Sequence, residues 1–419
     1  DWPGLAARLK IPLDPNGGIM MAVTDEQERQ LEAAEKNAHA NRAIDVRILS
    51  AAEIREREPN ASPDVRGGLL VPSESLVDPF MASIAYAEIA LANGVDILLG
   101  ADIAGVELGQ PPGAPLHHLV TADGHRLPAR RIVNAAGLGG RRLAAGYGGG
   151  AFDINPRRGQ FLLFDKSARP LVQHILLPVP TAHTKGVLVA PTIFGNLLAG
   201  PTAEDLPLND PAATHTTVEG IRRVLEGGSR LVDGLARQPV IATYAGARCA
   251  CSQGSYVIRH NDGAPGIVTI TGVRSTGLTA SISLARHLID GMQKELGLEL
   301  SPDSAALDSR PDSAWPGWWR RPFENGATDA RADHGCAVCF CEVISGGEIR
   351  AALDSPLKPR TMDALKRRTR VLSGRCQGFD CQVSLAEIVS GHTGIGMAQL
   401  TKNGPGSELV APGQAEFTA

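Results

Sequence analysis

Aromatic residues are scarce in this chain: Phe, Tyr and Trp together make up 4% of its 419 residues. The ordinary globular hydrophobic content of 43% is therefore carried by other side chains. An excess of positive charge is missing too. The formal net charge is −4, from 41 Lys and Arg against 45 Asp and Glu, which argues against nucleic acid as the main partner. No apolar run reaches about 18 residues, so the sequence predicts no transmembrane helix, and no signal peptide is evident. No internal repeat is found. Turn-forming residues are plentiful, with 47 Gly and 29 Pro, and the length allows two or three domains with ample cores.

Four of the seven cysteines lie close together near the C-terminus, as Cys339-x-Cys341 and Cys376-x4-Cys381. Thiolates one residue apart cannot form an unstrained disulfide, but two such arms can hold a metal or an iron–sulfur cluster. The second arm, Gly374-Arg-Cys376-Gln-Gly378-Phe-Asp-Cys381, is a glycine-containing loop whose N–H groups can donate to sulfur. Structural zinc usually uses C-x2–4-C knuckles, which a C-x-C arm disfavours. Cys336, three residues before Cys339, could complete such a knuckle, so zinc stays open at this point. Closely spaced thiols without a secretory signal point to a reducing cytoplasm.

Ser345-Gly-Gly-Glu348, Thr361-Met-Asp363 and Ser384-Leu-Ala-Glu387 read as helix starts, the first and last with capping-box spacing. Residues 335–392 therefore read as a module of short helices with cysteine-bearing loops. The run Cys339-Phe-Cys341-Glu342, the basic stretch Lys366-Arg-Arg-Thr-Arg370 and Gly374-Arg-Cys-Gln-Gly378 resemble the bacterioferritin-associated-ferredoxin-like [2Fe–2S] domain. They are most similar to the version fused to flavoprotein dehydrogenases, whose last arm is also C-x4-C. The resemblance implies that Cys339, Cys341, Cys376 and Cys381 bind one [2Fe–2S] cluster. Lys366 to Arg370 is expected to be a solvated helix face or a docking patch for an acidic redox partner.

Earlier in the chain, Asp25 to Asn37 reads as a charged helix, and Ser50-Ala-Ala-Glu53 as a capping box opening the next one. Pro79 to Asn93 reads as a helix with Phe80, Ile84, Ala87 and Leu91 on one face. Val95 to Leu99 and Ile103 to Leu108 are predicted strands, followed by a meander through His117–Val120 and Arg126–Leu127 with Asp123-Gly124 as its turn. Arg131 to Gly137 is predicted to be a buried strand running into a glycine-rich turn. Phe152 to Val240 alternates strands and turns, with one helix at Val218 to Val232. A strand at Ile267–Ile270 leads through Gly272 into a helix. Trp315, Trp318 and Trp319 are expected to staple a linker to the body, and the stretch from Asn403 reads as extended. Cys249 and Cys251 read as buried thiols.

Val71-Pro with Val77-Asp-Pro79, Asn134-Ala-Ala-Gly137 and Gly272-Val-Arg-Ser-Thr-Gly-Leu-Thr-Ala280 together resemble the D-amino-acid-oxidase-like family of FAD-dependent oxidoreductases. Arg158-Gly-Gln-Phe161, Gly186 to Pro191 and Gly195 to Asp205 are similar to L-2-hydroxyglutarate-oxidase-like proteins and to the large chain of the anaerobic-type glycerol-3-phosphate dehydrogenase, as is Thr401 to Ser407. The resemblance implies an α/β (α+β) fold, with a Rossmann-like FAD-binding part, an antiparallel substrate sheet and a small helical [2Fe–2S] domain. It divides the chain into a body at 1–300, a linker at 301–334, the cluster domain at 335–392 and a tail at 393–419. Within the body, the substrate sheet is expected mainly at 150–245 and flavin-contacting segments at 76–150 and 246–295.

The cofactor contacts implied are Ile103, Asn134, Ala135, Ala136, Gly137, Gly272, Ser275, Thr276, Gly277, Leu278 and Thr279. The turn before the second helix suits developing negative charge, because a helix N-terminus presents free N–H groups. The family's Gly-x-Gly-x-x-Gly unit, which holds pyrophosphate, is not found at the start of this chain, which opens at Asp1. A protein made only of these residues is therefore expected to hold FAD weakly or not at all, while the cysteine module still assembles its cluster. An anionic substrate asks for arginine, which clamps carboxylate or phosphate oxygens in pairs. Arg248, Arg274 and Arg158 are the candidate anchors.

The function implied is FAD-dependent dehydrogenation of a small hydroxy compound, glycerol 3-phosphate or a 2-hydroxy acid. Electrons would pass through the cluster to a redox partner subunit or quinone-linked acceptor. The alternatives are an amino- or imino-acid dehydrogenase on the same fold, or a non-catalytic iron–sulfur subunit. Such a protein is expected in the cytoplasm, with at most peripheral contact with the inner face of the membrane.

Overall fold

A computed structural model describes residues 2–410 apart from 44, 111–115, 151, 182–184, 208–212, 254–255, 298, 300–304 and 311–334. The three linker tryptophans Trp315, Trp318 and Trp319 lie outside the described residues. Nine strands form the largest sheet. In order they are 204–205, 154–164, 197–200, 188–191, 175–178, 18–22, 67–71 and 47–50, with Val240–Cys251 pairing along the whole of Ile154–Phe164. All pairs are antiparallel except 175–178 with 18–22. The antiparallel part agrees with the expected 150–245 sheet, which continues further into strands from the first 71 residues. Ile19, Met21, Leu162, Phe164, Leu176, Val189 and Leu197 of this sheet pack into one core with Val224, Leu231 and Leu235 of the Val218–Ser229 helix and the turn after it. The other face is covered at its 18–22 and 67–71 end, where Ala22 and Leu69 pack with Leu31 of the Asp25–Ala40 helix.

A second, smaller sheet carries the flavin-type segments. Ile267–Thr271 runs parallel to Ile132–Asn134 and antiparallel to Val257–His260, a mixed sheet where the sequence predicted it. Strands 103–107, 117–121 and 126–129 make the expected meander. Val95 to Leu99, however, forms no strand, and Leu98 and Leu99 are exposed. The apolar run lacks a neighbouring strand edge that could complete its backbone bonds.

The Pro79–Ala92 helix starts as predicted. Asp78 accepts from the N–H groups of Phe80 and Met81, and proline occupies the first turn, where its missing N–H costs nothing. Its buried face differs from the expected one: Met81, Ala82, Ala85 and Glu88 are covered, while Phe80 is exposed. The helix is enclosed on two sides. Ala82 and Ala85 pack with the Trp2–Leu9 helix, while Met81 and Ile84 enter the core of the cysteine module.

That module contains helices Gly346–Leu353, Met362–Thr369 and Gln382–Thr393. The Ser345–Glu348 capping box is present in both directions, and Thr361 caps the second helix. The third begins earlier than expected. Cys381 is its cap residue, so Ser384 lies inside the first turn rather than opening it. The stretch from Asn403 is not extended: Thr401 bridges Glu408 and Leu409 N–H donates to the Leu400 carbonyl, closing a tight hairpin on the module. No helix among the described residues is long and apolar enough to cross a membrane.

Candidate functional site

The four cysteines of the two arms converge. Cys339 lies beside Cys381, and Cys341 beside Cys376, so each pair takes one sulfur from each loop. The inner pair shares one proton: the Cys381 partner pushes Cys339 down to about 6 against the effect of burial, while the Cys339 partner and burial together push Cys381 up. The N–H groups of Glu342 and Leu372 point at the Cys339 sulfur, and that of Cys376 at Cys341. To aim those amides, Val343, Leu372 and Gln377 adopt left-handed backbone conformations, with φ of 54°, 68° and 51°. Gly374 is required by contact: a Cβ there would stand 2.1 Å from that of Cys341. Cys336 is exposed, whereas the sulfurs of Cys341 and Cys376 lie with an Asp380 carboxylate oxygen within 4.8 Å of one another. Two cross-loop thiol pairs with amides on their sulfurs fit a [2Fe–2S] centre.

Around the arms, Phe340 and Phe379 stand 75% and 90% exposed, so this edge of the module is an apolar surface at the cysteine loops. The basic run behind them is solvated only in part: Arg367 is exposed and Lys366 half-buried, while the other two arginines turn inward. Arg368 is buried against Glu88 of the body, and Arg370 lies 4.0 Å over the Phe194 ring and 3.5 Å from Glu342. Arg367 sits over Phe80.

The second candidate region forms where the small sheet meets the large one. Asn134–Gly137 and Gly272–Thr276 leave the carboxyl ends of two adjacent parallel strands, the end at which open α/β sheets bind ligands. Gly272 takes φ +70° and Gly137 φ +57°, and Ala135, Ala136, Ser275 and Thr276 are exposed. The Gly277–Leu296 helix begins at Thr276 without a side-chain cap bond, leaving its N-terminus open to a negative group. These bare turns and the uncapped helix start fit a flat anionic cofactor. Leu278 differs from its neighbours, because it packs inward against the Trp2–Leu9 and Pro79–Ala92 helices. Thr279 is exposed, with its carbonyl accepting from Trp2. Ile103 lies in a strand and gives its carbonyl to Arg142.

The Asn134 side chain has another task. Its amide donates to the Gly140 carbonyl and to Tyr147 Oη, at 3.0 and 2.7 Å, and Tyr147 reaches Thr269 at 2.6 Å. This buried network ties the two parallel strands to the helix between them. Asn134 can meet a cofactor only through its backbone.

Across the junction lies the open face of the Ile154–Phe164 and Val240–Cys251 pair. In register, Arg157 faces Arg248, Gly159 faces Gly246, and Phe161 faces Tyr244, whose rings stack at 5.0 Å. Arg248 lies across Gly159 and donates to the Thr202 carbonyl at 2.8 Å. Among the described residues no carboxylate pairs with it. Burial lowers its pKa, and the neighbouring cations Arg157 and Arg274 lower it further. Arg157 is neutralised by Asp205. Arg248 and Arg274 thus come together as expected, at a place where added negative charge is favoured. Arg158 does not join them. It is buried, bonds Glu204 at 2.7 Å and the His215 carbonyl at 3.2 Å, and points to the opposite face. Thr202 and Gln160, which share the Glu204 carboxylate, complete a network that motif reading missed.

Comparison with known proteins agrees with both halves. Residues 1–290 match the FAD dependent oxidoreductase family, and residues 337–390 the BFD-like [2Fe-2S] binding domain. The chain is 29% identical to the glycerol 3-phosphate dehydrogenase of Caloramator mitchellensis over 411 residues, covering 97% of this chain and 83% of that one. It is 28% identical to the glycerol 3-phosphate oxidase of Mycoplasma pneumoniae over 290 residues, covering 67% of this chain and 74% of the relative. Among solved structures, the dithionite-reduced L-alpha-glycerophosphate oxidase of Mycoplasma pneumoniae with FAD bound superposes with a TM-score of 0.64 at 25% identity, covering 71% of this chain and 77% of that one. By this match, which takes in more than half of its length, the chain belongs to the family of FAD dependent oxidoreductases and carries a C-terminal BFD-like [2Fe-2S] domain.

Proposed function

We propose that this oxidoreductase oxidises glycerol 3-phosphate at a carbon bearing a hydroxyl and delivers the electrons to a redox partner through its cluster. The observation that carries the substrate class is Arg248, a half-buried guanidinium without a paired carboxylate among the described residues, beside a second cation at Arg274. A phosphate dianion suits that pair, because a planar guanidinium offers two parallel donors and the buried setting strengthens each. The relatives named as a glycerol 3-phosphate dehydrogenase and a glycerol 3-phosphate oxidase support the same choice. FAD when bound would take the two electrons with the hydride, and the [2Fe–2S] centre would pass them on singly.

The chain's own residues then bind, orient and shield. Arg248 would hold the phosphate end of the substrate. The Phe161–Tyr244 stack would wall the face next to the bare Gly246 position, where the three-carbon chain has room. Burial pushes the Tyr244 hydroxyl up to about 12, so it stays protonated and can donate but not remove a proton at neutral pH. The exposed Phe340 and Phe379 flank the arms, and the acceptor would approach at that edge. Anaerobic mixing of the FAD-loaded protein with glycerol 3-phosphate tests the reading, followed at the flavin absorption band. Bleaching is expected with this substrate and not with glycine or proline; the reverse pattern would move the enzyme to carbon–nitrogen oxidation.

A further inference from the structure

Two consecutive residues of the body reach both cysteine loops with opposite charges. Asp165 Oδ1 accepts from Arg375 at 2.8 Å, and Arg375 immediately precedes Cys376. Lys166 Nζ stands 3.0 Å from Glu342 Oε2, and Glu342 immediately follows Cys341. The signs are crossed: an anion then a cation on the body, a cation and an anion on the module. Asp165 is also fixed from within the body, since it caps the Lys166–Leu171 turn through Ser167 N–H. Arg370 reinforces the same contact, spanning Glu342 and Phe194 and reaching Asn196, which in turn holds the Phe164 carbonyl. Glu342 and Asp165 are nearly inaccessible, with side-chain exposures of 5% and 7%, while their partners Lys166 and Arg375 stay 42% and 68% exposed, so each pair joins a sheltered carboxylate to a solvated cation.

We infer that Asp165 and Lys166 are positioning residues for the iron–sulfur centre, holding it against the body as a fixed relay rather than a swinging carrier. The inference rests on Cys339, Cys341, Cys376 and Cys381 being its ligands. A carrier on a linker would need its ligand loops free to turn. Here each loop is gripped beside one ligand, and the two grips come from a single rigid turn. The crossed charges have a further consequence. Removing Lys166 leaves the Glu342 carboxylate less compensated beside the centre, which disfavours adding an electron. Removing the Asp165 charge leaves the Arg375 cation uncompensated, which favours it.

The test uses the full chain with its cluster assembled, and measures the reduction potential by spectroelectrochemical titration. Lys166→Met is expected to lower the potential and Asp165→Asn to raise it. Each should change the oxidised-to-reduced ratio at the wild-type midpoint about three- to tenfold, in opposite directions. Asparagine can keep the cap bond to Ser167, so the turn itself is preserved. Hydrogen exchange at 340–343 and 374–377 should speed up in both variants, while that of the Val218–Ser229 helix stays unchanged. Lys166→Arg should restore the wild-type potential. Shifts of the same sign, or none, would overturn the inference, as would unchanged exchange in the two loops. Should Lys166→Met not fold, Arg375→Met must lower the potential and expose the same loops, or the inference fails.

Discussion

At the scale of single residues, the cysteines were the most legible part of the sequence. Their spacing narrows the chemistry to thiolate ligation, because no other use puts two pairs in such short arms. The arginines were not legible in the same way. Arg248 and Arg158 sit in equally suggestive motifs, yet among the described residues one bonds the Arg157 and Thr202 carbonyls and the other is bound to Glu204, which lies 46 positions away. Sequence carries no sign of which guanidinium a distant carboxylate will claim. If Arg248 grips the substrate anion as proposed, Arg248→Lys removes the planar two-donor geometry while keeping the charge. The loss is about 1.5–3 kcal/mol, so KM for glycerol 3-phosphate should rise about ten- to a hundredfold, read by steady-state kinetics. Arg158→Lys should instead lower thermal stability, with KM little changed.

At the scale of elements, most caps were legible because their signal is local. Ser50, Ser345 and Thr361 each bond the N–H groups their spacing demands, whereas Ser384 has the same spacing and lies inside the first turn of a helix that opens at Cys381. Faces were harder, because which side of the Pro79–Ala92 helix is covered depends on partners far along the chain. Within the basic run Lys366 to Arg370, the burial of Arg368 was missed for the same reason: it meets Glu88 280 positions away. The cap of the Pro79–Ala92 helix carries a pH dependence. Burial raises the Asp78 carboxyl to about 6, despite opposing bonds from Met81 and Phe80 N–H and the charge of Arg370. A raised carboxyl favours the folded state while protonated. Its contribution is fully present below the unfolded value near 4 and is lost as pH rises through about 6. The amount is about 3 kcal/mol. Asp78→Asn keeps a cap and removes the ionisation. Chemical denaturation should therefore show a variant whose stability declines less than wild type between about pH 4 and 6.

At the scale of the whole molecule, the cysteine module shares its core with the body. Met81 is fully buried among Cys339, Ile344, Leu365 and Leu385, although it lies in the first quarter of the chain. Glu88 receives Arg310 from the linker and Arg368 from the module, with both pairs sealed from solvent. This arrangement was invisible to a reading that placed a linker between two units, since the linker's own Arg310 is one of the fastenings. Glu88→Gln would leave two buried cations facing each other. Breaking a buried pair costs about 3–5 kcal/mol, so Tm should fall by several degrees and proteolysis should release the module more readily.

The pairing of sulfurs across the two loops also bears on how the protein must be handled. Cys339 and Cys381 lie side by side, and so do Cys341 and Cys376. With Cys339 poised near 6, the inner pair holds a thiolate at neutral pH, the form that reacts with oxidants. Oxygen would remove two hydrogens from each pair and close two disulfides between the loops, sealing them against metal. Protein emptied of iron in air should show the matching loss of four hydrogens by mass spectrometry. It should take up iron and sulfide only after treatment with a thiol reductant, whereas protein emptied without oxygen should need none.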